Sequence, residues 1–93
     1  MNHKELVTAV AARTGLGVHA ADDAVSAVLD LIATEVADGE QVSLAGFGIF
    51  DARDRAARTG RNPRTGEPLE IPAGRTPSFR PAAGFRRRLA EVS

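Results

Sequence analysis

Leu6, Val7, Val10 and Ala11 recur at helical spacing behind Asn2, with Glu5 three residues after Asn2 as in a capping box. Gly15 stops this first predicted helix, and Gly15-Leu16-Gly17 is short enough to fold a second helix back on it. The second runs from about Val18 to Ala37. Ala21, Ala24, Val25, Val28, Leu29, Ile32 and Val36 mark a stripe expected to be buried, Asp22, Asp23, Asp30 and Glu35 face water, and Asp38-Gly39 ends the helix. The period then falls to two. Val42 and Leu44 alternate with Gln41 and Ser43 as a half-buried strand, and the glycines of Gly46-Phe47-Gly48 predict a tight hairpin. Ser78-Phe79-Arg80-Pro81 closes the sheet. Ala83 to Leu89 reads as a short helix with Phe85 and Leu89 inward and Arg86-Arg87-Arg88 outward. Phe47, Phe50, Phe79, Leu44 and Leu29 are the candidate core or subunit-contact residues. Phe47 and Phe50 belong there rather than on a base-stacking platform, because they lie at the scaffold end.

Between the sheet strands lies a different stretch, residues 53–75. Its flanks show partial two-residue alternation (Arg53 with Arg55; Leu69, Ile71 and Ala73), and its centre, Arg61-Asn62-Pro63-Arg64-Thr65-Gly66, is turn chemistry. The pattern predicts a long hairpin whose only large apolar side chains are Leu69 and Ile71. With so little to bury, a two-stranded ribbon is marginal in water, so this arm is expected to order fully only on a partner.

Charge identifies the kind of partner. Net charge is zero, but it is unevenly spread. Residues 1–45 carry Lys4 and Arg13 against seven carboxylates, a balance of −5; residues 46–93 carry ten arginines against five carboxylates, a balance of +5. Arg53, Arg55, Arg58, Arg61 and Arg64 crowd onto the arm with Asp54 as their one opposing carboxylate between Arg53 and Arg64. Arginine rather than lysine suits bidentate phosphate contacts and a narrow groove. Pro63 at the tip is a rigid apolar wedge with no N–H. A solvated arginine-rich hairpin is the plain alternative, and the combination of five arginines with Asn62-Pro63 outweighs it.

Ninety-three residues make one small domain, read as a helical base with the first strand (1–45), a β-saddle (46–82) bearing the arm (53–75), and a C-terminal helix (83–93). No apolar run is long enough to span a membrane, and Met1-Asn2-His3-Lys4 leads into an amphipathic pattern rather than a signal peptide. The absence of cysteine excludes disulfides and thiolate metal sites and agrees with a cytoplasmic setting. Without the arm about 70 residues remain, a size at which one core rarely suffices without staples, so a two-fold dimer presenting two arms is expected.

The run Gly46-Phe47-Gly48-x-Phe50, then Arg53-x-Arg55-Ala56-Ala57-Arg58-x-Gly60-Arg61-Asn62-Pro63-x-Thr65-Gly66-Glu67, Ile71-Pro72-Ala73 and Pro77-x-Phe79 with Pro81, resembles the bacterial HU/integration host factor family of histone-like DNA-binding proteins. The resemblance spans essentially the whole chain. It implies an α+β fold in an intertwined homodimer or a heterodimer with a paralogue: two N-terminal helices, a three-stranded antiparallel sheet extended into ribbon arms that follow the minor groove, and a short C-terminal helix. By the same resemblance Pro63 intercalates and kinks the duplex, while Arg53, Arg55, Arg58 and Arg61 contact backbone and groove. Asn62, Arg64, Arg75, Arg80 and Arg86 complete the candidate DNA-binding set. His3, Val18-His19 and Ala83 stand where basic residues are common in the family, so the flanking phosphate track is thinned. A shorter footprint and weaker bending are expected.

Double-stranded DNA, with a preference for flexible, nicked or distorted duplex, is therefore the expected partner and the bacterial nucleoid the expected location. Cofactors are not expected. No nucleophile sits beside a base in a recognisable motif and no glycine-rich phosphate loop opens a helix, so an enzyme is not expected. His3 and His19 read as surface residues, with a pH-tuned phosphate contact as the functional alternative, and they are too isolated for a metal site. Three functions stay open at this level. They are sequence-neutral architectural binding, site-preferring bending of the integration host factor kind, and a dimeric module for RNA or acidic proteins. An acidic protein surface would give Pro63 nothing to unstack.

Overall fold

In the computed structural model, which describes residues 1–92 with side chains as far as Glu91, the element order is α1 (His3–Thr14), α2 (Val18–Ala37), β1 (Val42–Leu44), β2 (Gly48–Arg55), β3 (Arg58–Arg61), β4 (Pro68–Ile71), β5 (Gly74–Pro81) and α3 (Ala83–Val92). Each helix end has a local cause. Asn2 caps α1, its Oδ1 accepting from the Glu5 N–H at 2.8 Å, and Gly15 ends α1 in the left-handed region with φ 76°. At the end of α2, Gly39 (φ 85°) donates to the Val36 carbonyl and Glu40 to that of Glu35, a Schellman closure.

Contacts group residues Met1–Thr34 apart from those from Glu35 onward. In the first group Val7, Ala11 and Ala21 form a small buried cluster, with Val10 and Val25 packed on it. The second holds one antiparallel sheet of order β1-β2-β5 and a two-stranded ribbon β3-β4. The β1-β2 turn is closed by the Phe47 N–H on the Leu44 carbonyl at 3.0 Å, with Gly46 at φ 77°, as the glycine pattern predicts. Phe50 and Phe79 lie directly opposite each other in the β2-β5 register with ring centroids 4.7 Å apart. Phe47 joins Phe79 at 5.4 Å and Phe85 of α3 at 5.1 Å. Gly48 is required beneath this cluster, since a Cβ there would lie 2.5 Å from the Phe79 ring and 2.6 Å from the Arg80 carbonyl oxygen.

Burial departs from expectation. Of the predicted α2 stripe only Ala21 is buried; Val25, Ile32 and Val36 are half-buried, while Ala24, Val28 and Leu29 are exposed, Leu29 at 49%. Leu44, Phe47 and Phe79 are also exposed, and Leu89, predicted inward, is 59% exposed. The spacing marks faces that are apolar, but much of each is left open rather than buried.

Candidate nucleic-acid interface

The predicted hairpin is built in two ladders with one register. Gly48 pairs with Pro81 and Arg55 with Gly74; further out Arg58 pairs with Ile71 and Arg61 with Pro68. Every pair keeps the same residue-number sum, so no residue is inserted or lost between the ladders. The gap at Ala56-Ala57 opposite Pro72-Ala73 is a loss of hydrogen bonds, not of alignment. Pro72 has no N–H to donate, which accounts for the break. Arg55 reaches across it, its Nη2 3.5 Å from the Pro72 carbonyl oxygen.

The tip continues the register. Asn62 N–H donates to the Glu67 carbonyl at 2.9 Å and Gly66 N–H to the Asn62 carbonyl at 2.8 Å, with Gly66 at φ 72°. Asn62 Oδ1 also accepts from the Arg64 N–H at 2.9 Å, an Asx turn that leaves Pro63 at the apex. Pro63, Arg64 and Thr65 are exposed, and Arg61 Nη1 lies 3.4 Å from the Gly66 carbonyl oxygen.

Side chains alternate across a strand, so the register sorts the arginines by face. Phe50, Phe79, Asp54 and Arg75 share one face of β2-β5; Ile49, Asp51, Arg53, Arg55, Ser78 and Arg80 share the other. On this second face Arg53 Nε donates to Ser78 Oγ at 3.1 Å and Arg80 Nη2 pairs with Asp51 Oδ2 at 2.9 Å. Arg53, Arg55 and Arg80 are thereby brought onto one surface. Arg58 and Arg61, three residues apart in β3, point to opposite sides of the ribbon. Arg75 does not join them. Its Nη2 donates at 2.6 Å to the Ala37 carbonyl, satisfying a group that the Schellman turn leaves open at the end of α2.

The guanidinium groups of Arg58, Arg64, Arg86, Arg87 and Arg88 make no hydrogen bond or ion pair among the described residues. His3 Nε2 lies 3.1 Å from Asp22 Oδ1. The described residues include no group of acidic, histidine or cysteine side chains able to hold a metal, and no helix long and apolar enough to cross a membrane. Sequence reasoning passed over Asp51 and Ser78 as partners of the arginines. The signal was available in their shared parity with Arg53 and Arg80 across the hairpin.

An α+β body with a basic, proline-tipped strand pair defines the class of small groove-reaching nucleic-acid folds. The chain belongs to the bacterial DNA-binding protein family, whose profile matches residues 1–90. It is 49% identical over 86 residues to the DNA-binding protein HU of Geobacillus stearothermophilus, covering 92% of this chain and 96% of that one. The HU of a Nostoc species is 46% identical over 90 residues, covering 97% and 96% respectively. Among solved structures it is similar to the Anabaena HU–DNA cocrystal structure, with a TM-score of 0.92, 46% identity, and 97% and 98% of the two chains covered. A mutant HU from Thermotoga maritima matches with a TM-score of 0.72 at 25% identity, over 96% of this chain and 99% of that one.

Proposed function

We propose that this protein is an architectural, largely sequence-neutral double-stranded DNA-binding protein that wraps and bends its target with two minor-groove arms, one from each subunit of a homodimer. The observation that carries this reading is the ribbon, which keeps one register from sheet to tip and delivers arginines and an apical proline along a strand pair. The likeness to an HU chain solved with DNA supports it over nearly the full length. In this reading Arg53, Arg55 and Arg80 on the sheet face and Arg58 and Arg61 on the ribbon hold phosphates, and Arg86 adds a contact from α3. Asn62 and Arg64 reach the groove and Pro63 enters a base step. Arg75 acts indirectly, by fixing the end of α2. The setting is the bacterial nucleoid.

The dimer is supported by apolar surface that one chain leaves open: Val28 and Leu29 on α2, and Leu44, Phe47 and Phe79 on the sheet. Sedimentation of a folded monomer at micromolar concentration would overturn this part. The thinned flanking track implies a short footprint; full flank protection, with Arg80→Ala as damaging as an arm substitution, would count against it.

The test is fluorescence anisotropy on intact and nicked duplexes of about 30 base pairs over a salt series, with Pro63→Ala in parallel. Three or four phosphates per arm predict that the arms alone make log affinity fall with log salt at a slope of about −5 to −7, steeper where Arg80 and Arg86 add contacts. Tighter binding to the nicked duplex, reduced in Pro63→Ala, is expected. Pro63→Ala should also lower the bend, read by end-to-end energy transfer, more than it lowers affinity, because unstacking is repaid only through wrapping. Flat salt dependence would direct attention to a protein or RNA partner instead.

A further inference from the structure

We infer that Asp51 is a built-in competitor for phosphate at Arg80 and sets the affinity of the sheet face for DNA. The inference rests on the DNA-binding reading above. Asp51 stands opposite Ser78 and Arg80 opposite Ile49, so the two are diagonal neighbours on the face that also carries Arg53 and Arg55. Arg80 Nη2 meets Asp51 Oδ2 at 2.9 Å, with the Arg80 side chain about half exposed and that of Asp51 21% exposed. The other oxygen, Oδ1, is enclosed and has no hydrogen-bond partner among the described residues. The carboxylate therefore depends on Arg80 alone.

The three arginines of this face are restrained differently. Arg53 is held by a neutral hydroxyl and Arg55 by a neutral carbonyl, at 3.1 Å and 3.5 Å. Either contact yields readily to an anion. Arg80 alone is held by a charge. Asp51 is also the one carboxylate that β2 and β5 place on this side, because Asp54 falls on the opposite face. A phosphate approaching Arg80 meets one of two costs. If it displaces Asp51, it leaves a poorly solvated carboxylate with no donor. If it shares the guanidinium, it sits against a like charge. Either way Asp51 withholds one phosphate contact per subunit from the unaided sheet face.

The experiment compares Asp51→Asn with Asp54→Asn by anisotropy on one duplex over a salt series. The two substitutions change net charge equally and lie three positions apart on the same strand, on opposite faces. Asp51→Asn is expected to tighten binding about two- to fivefold near 0.1 M salt. It should also steepen the log–log salt slope by about 0.9 per subunit, whereas Asp54→Asn moves both by less than half as much. In an Arg80→Ala background the advantage of Asp51→Asn over Asp54→Asn should vanish. Asp51→Ser provides a second variant of the same kind, and thermal melting confirms that each is folded. Equal effects of the two substitutions, weaker binding by both Asp51 variants, or an advantage that survives Arg80→Ala overturns the inference while leaving DNA binding intact. Failure of the unsubstituted protein to bind overturns both.

Discussion

The sheet portion of the hairpin and its outer portion share one register but not one source of order. In the inner ladder, Gly48–Arg55 against Gly74–Pro81, one face carries Phe50 and Phe79 clustered with Phe47 and Phe85, and the other is tied by Arg53–Ser78 and Arg80–Asp51. In the outer ladder, Arg58–Arg61 against Pro68–Ile71, no residue is buried, and the apolar content is Leu69 and a half-buried Ile71. The outer ribbon is maintained by main-chain pairing and the tip turn, the inner one by packing as well. Residues proposed to enter a groove thus sit where packing asks least of them and where opening is easiest.

A matched pair of glycine substitutions tests this contrast with the largest expected effect. Gly48→Ala places a methyl 2.5 Å from Phe79 Cε1 and 2.6 Å from the Arg80 carbonyl oxygen. The ring can tilt but the main chain cannot, so a loss of about 2–4 kcal/mol is expected in denaturant unfolding. Gly60→Ala, in the outer ladder, meets nothing nearer than Ile71 Cδ1 at 3.6 Å. Its expected change is within about 0.5 kcal/mol. Equal losses would mean that the two ladders share one source of stability.

Arginine substitutions sharpen the same comparison at smaller magnitude. Arg75→Ala removes the donor from the Ala37 carbonyl and should cost about 1–2 kcal/mol of stability, with little change in salt slope. Arg58→Ala removes a guanidinium without a protein partner among the described residues. It should leave stability within about 0.5 kcal/mol and flatten the salt slope by about 0.9 per subunit. Reversal of these two profiles would return Arg75 to the contact set and remove Arg58 from it.

Much of this arrangement was legible in the sequence. Asn2, Gly15 and Gly39 marked helix ends by chemistry that acts locally, and the structure places all three as caps or closures. Gly46-Phe47-Gly48 marked the first hairpin, and Asn62-Pro63 with Gly66 marked the tip, for the same reason. Composition groups Arg75 with the arm, but its face depends on which residue it opposes across the hairpin, here Asp54, and its guanidinium is engaged by the Ala37 carbonyl. The ladder gap could have been read from Pro72, a residue that cannot donate. The exposure of the α2 stripe could not, because periodicity shows which face is apolar and not how much of it the fold covers. Leu29 and Phe47 satisfy the pattern and remain exposed in one chain.

The smallest expected effect is at the tip. Asn62→Ala keeps both main-chain bonds that close the loop, from Asn62 N–H to Glu67 and from Gly66 N–H to Asn62. It removes only the Asx contact to the Arg64 N–H. Global stability should therefore stay within about 0.5 kcal/mol, since nothing at the tip belongs to the packed part of the sheet. Amide exchange at Arg64 should quicken, and the DNA bend should fall by less than in Pro63→Ala, because the proline remains but its approach to the base step is less fixed. A drop of several degrees in the melting midpoint would show instead that the tip is coupled to the sheet. Outer and inner ladders would then be one cooperative unit, and the ease of opening proposed for the arm would have to come from the gap at Pro72 alone.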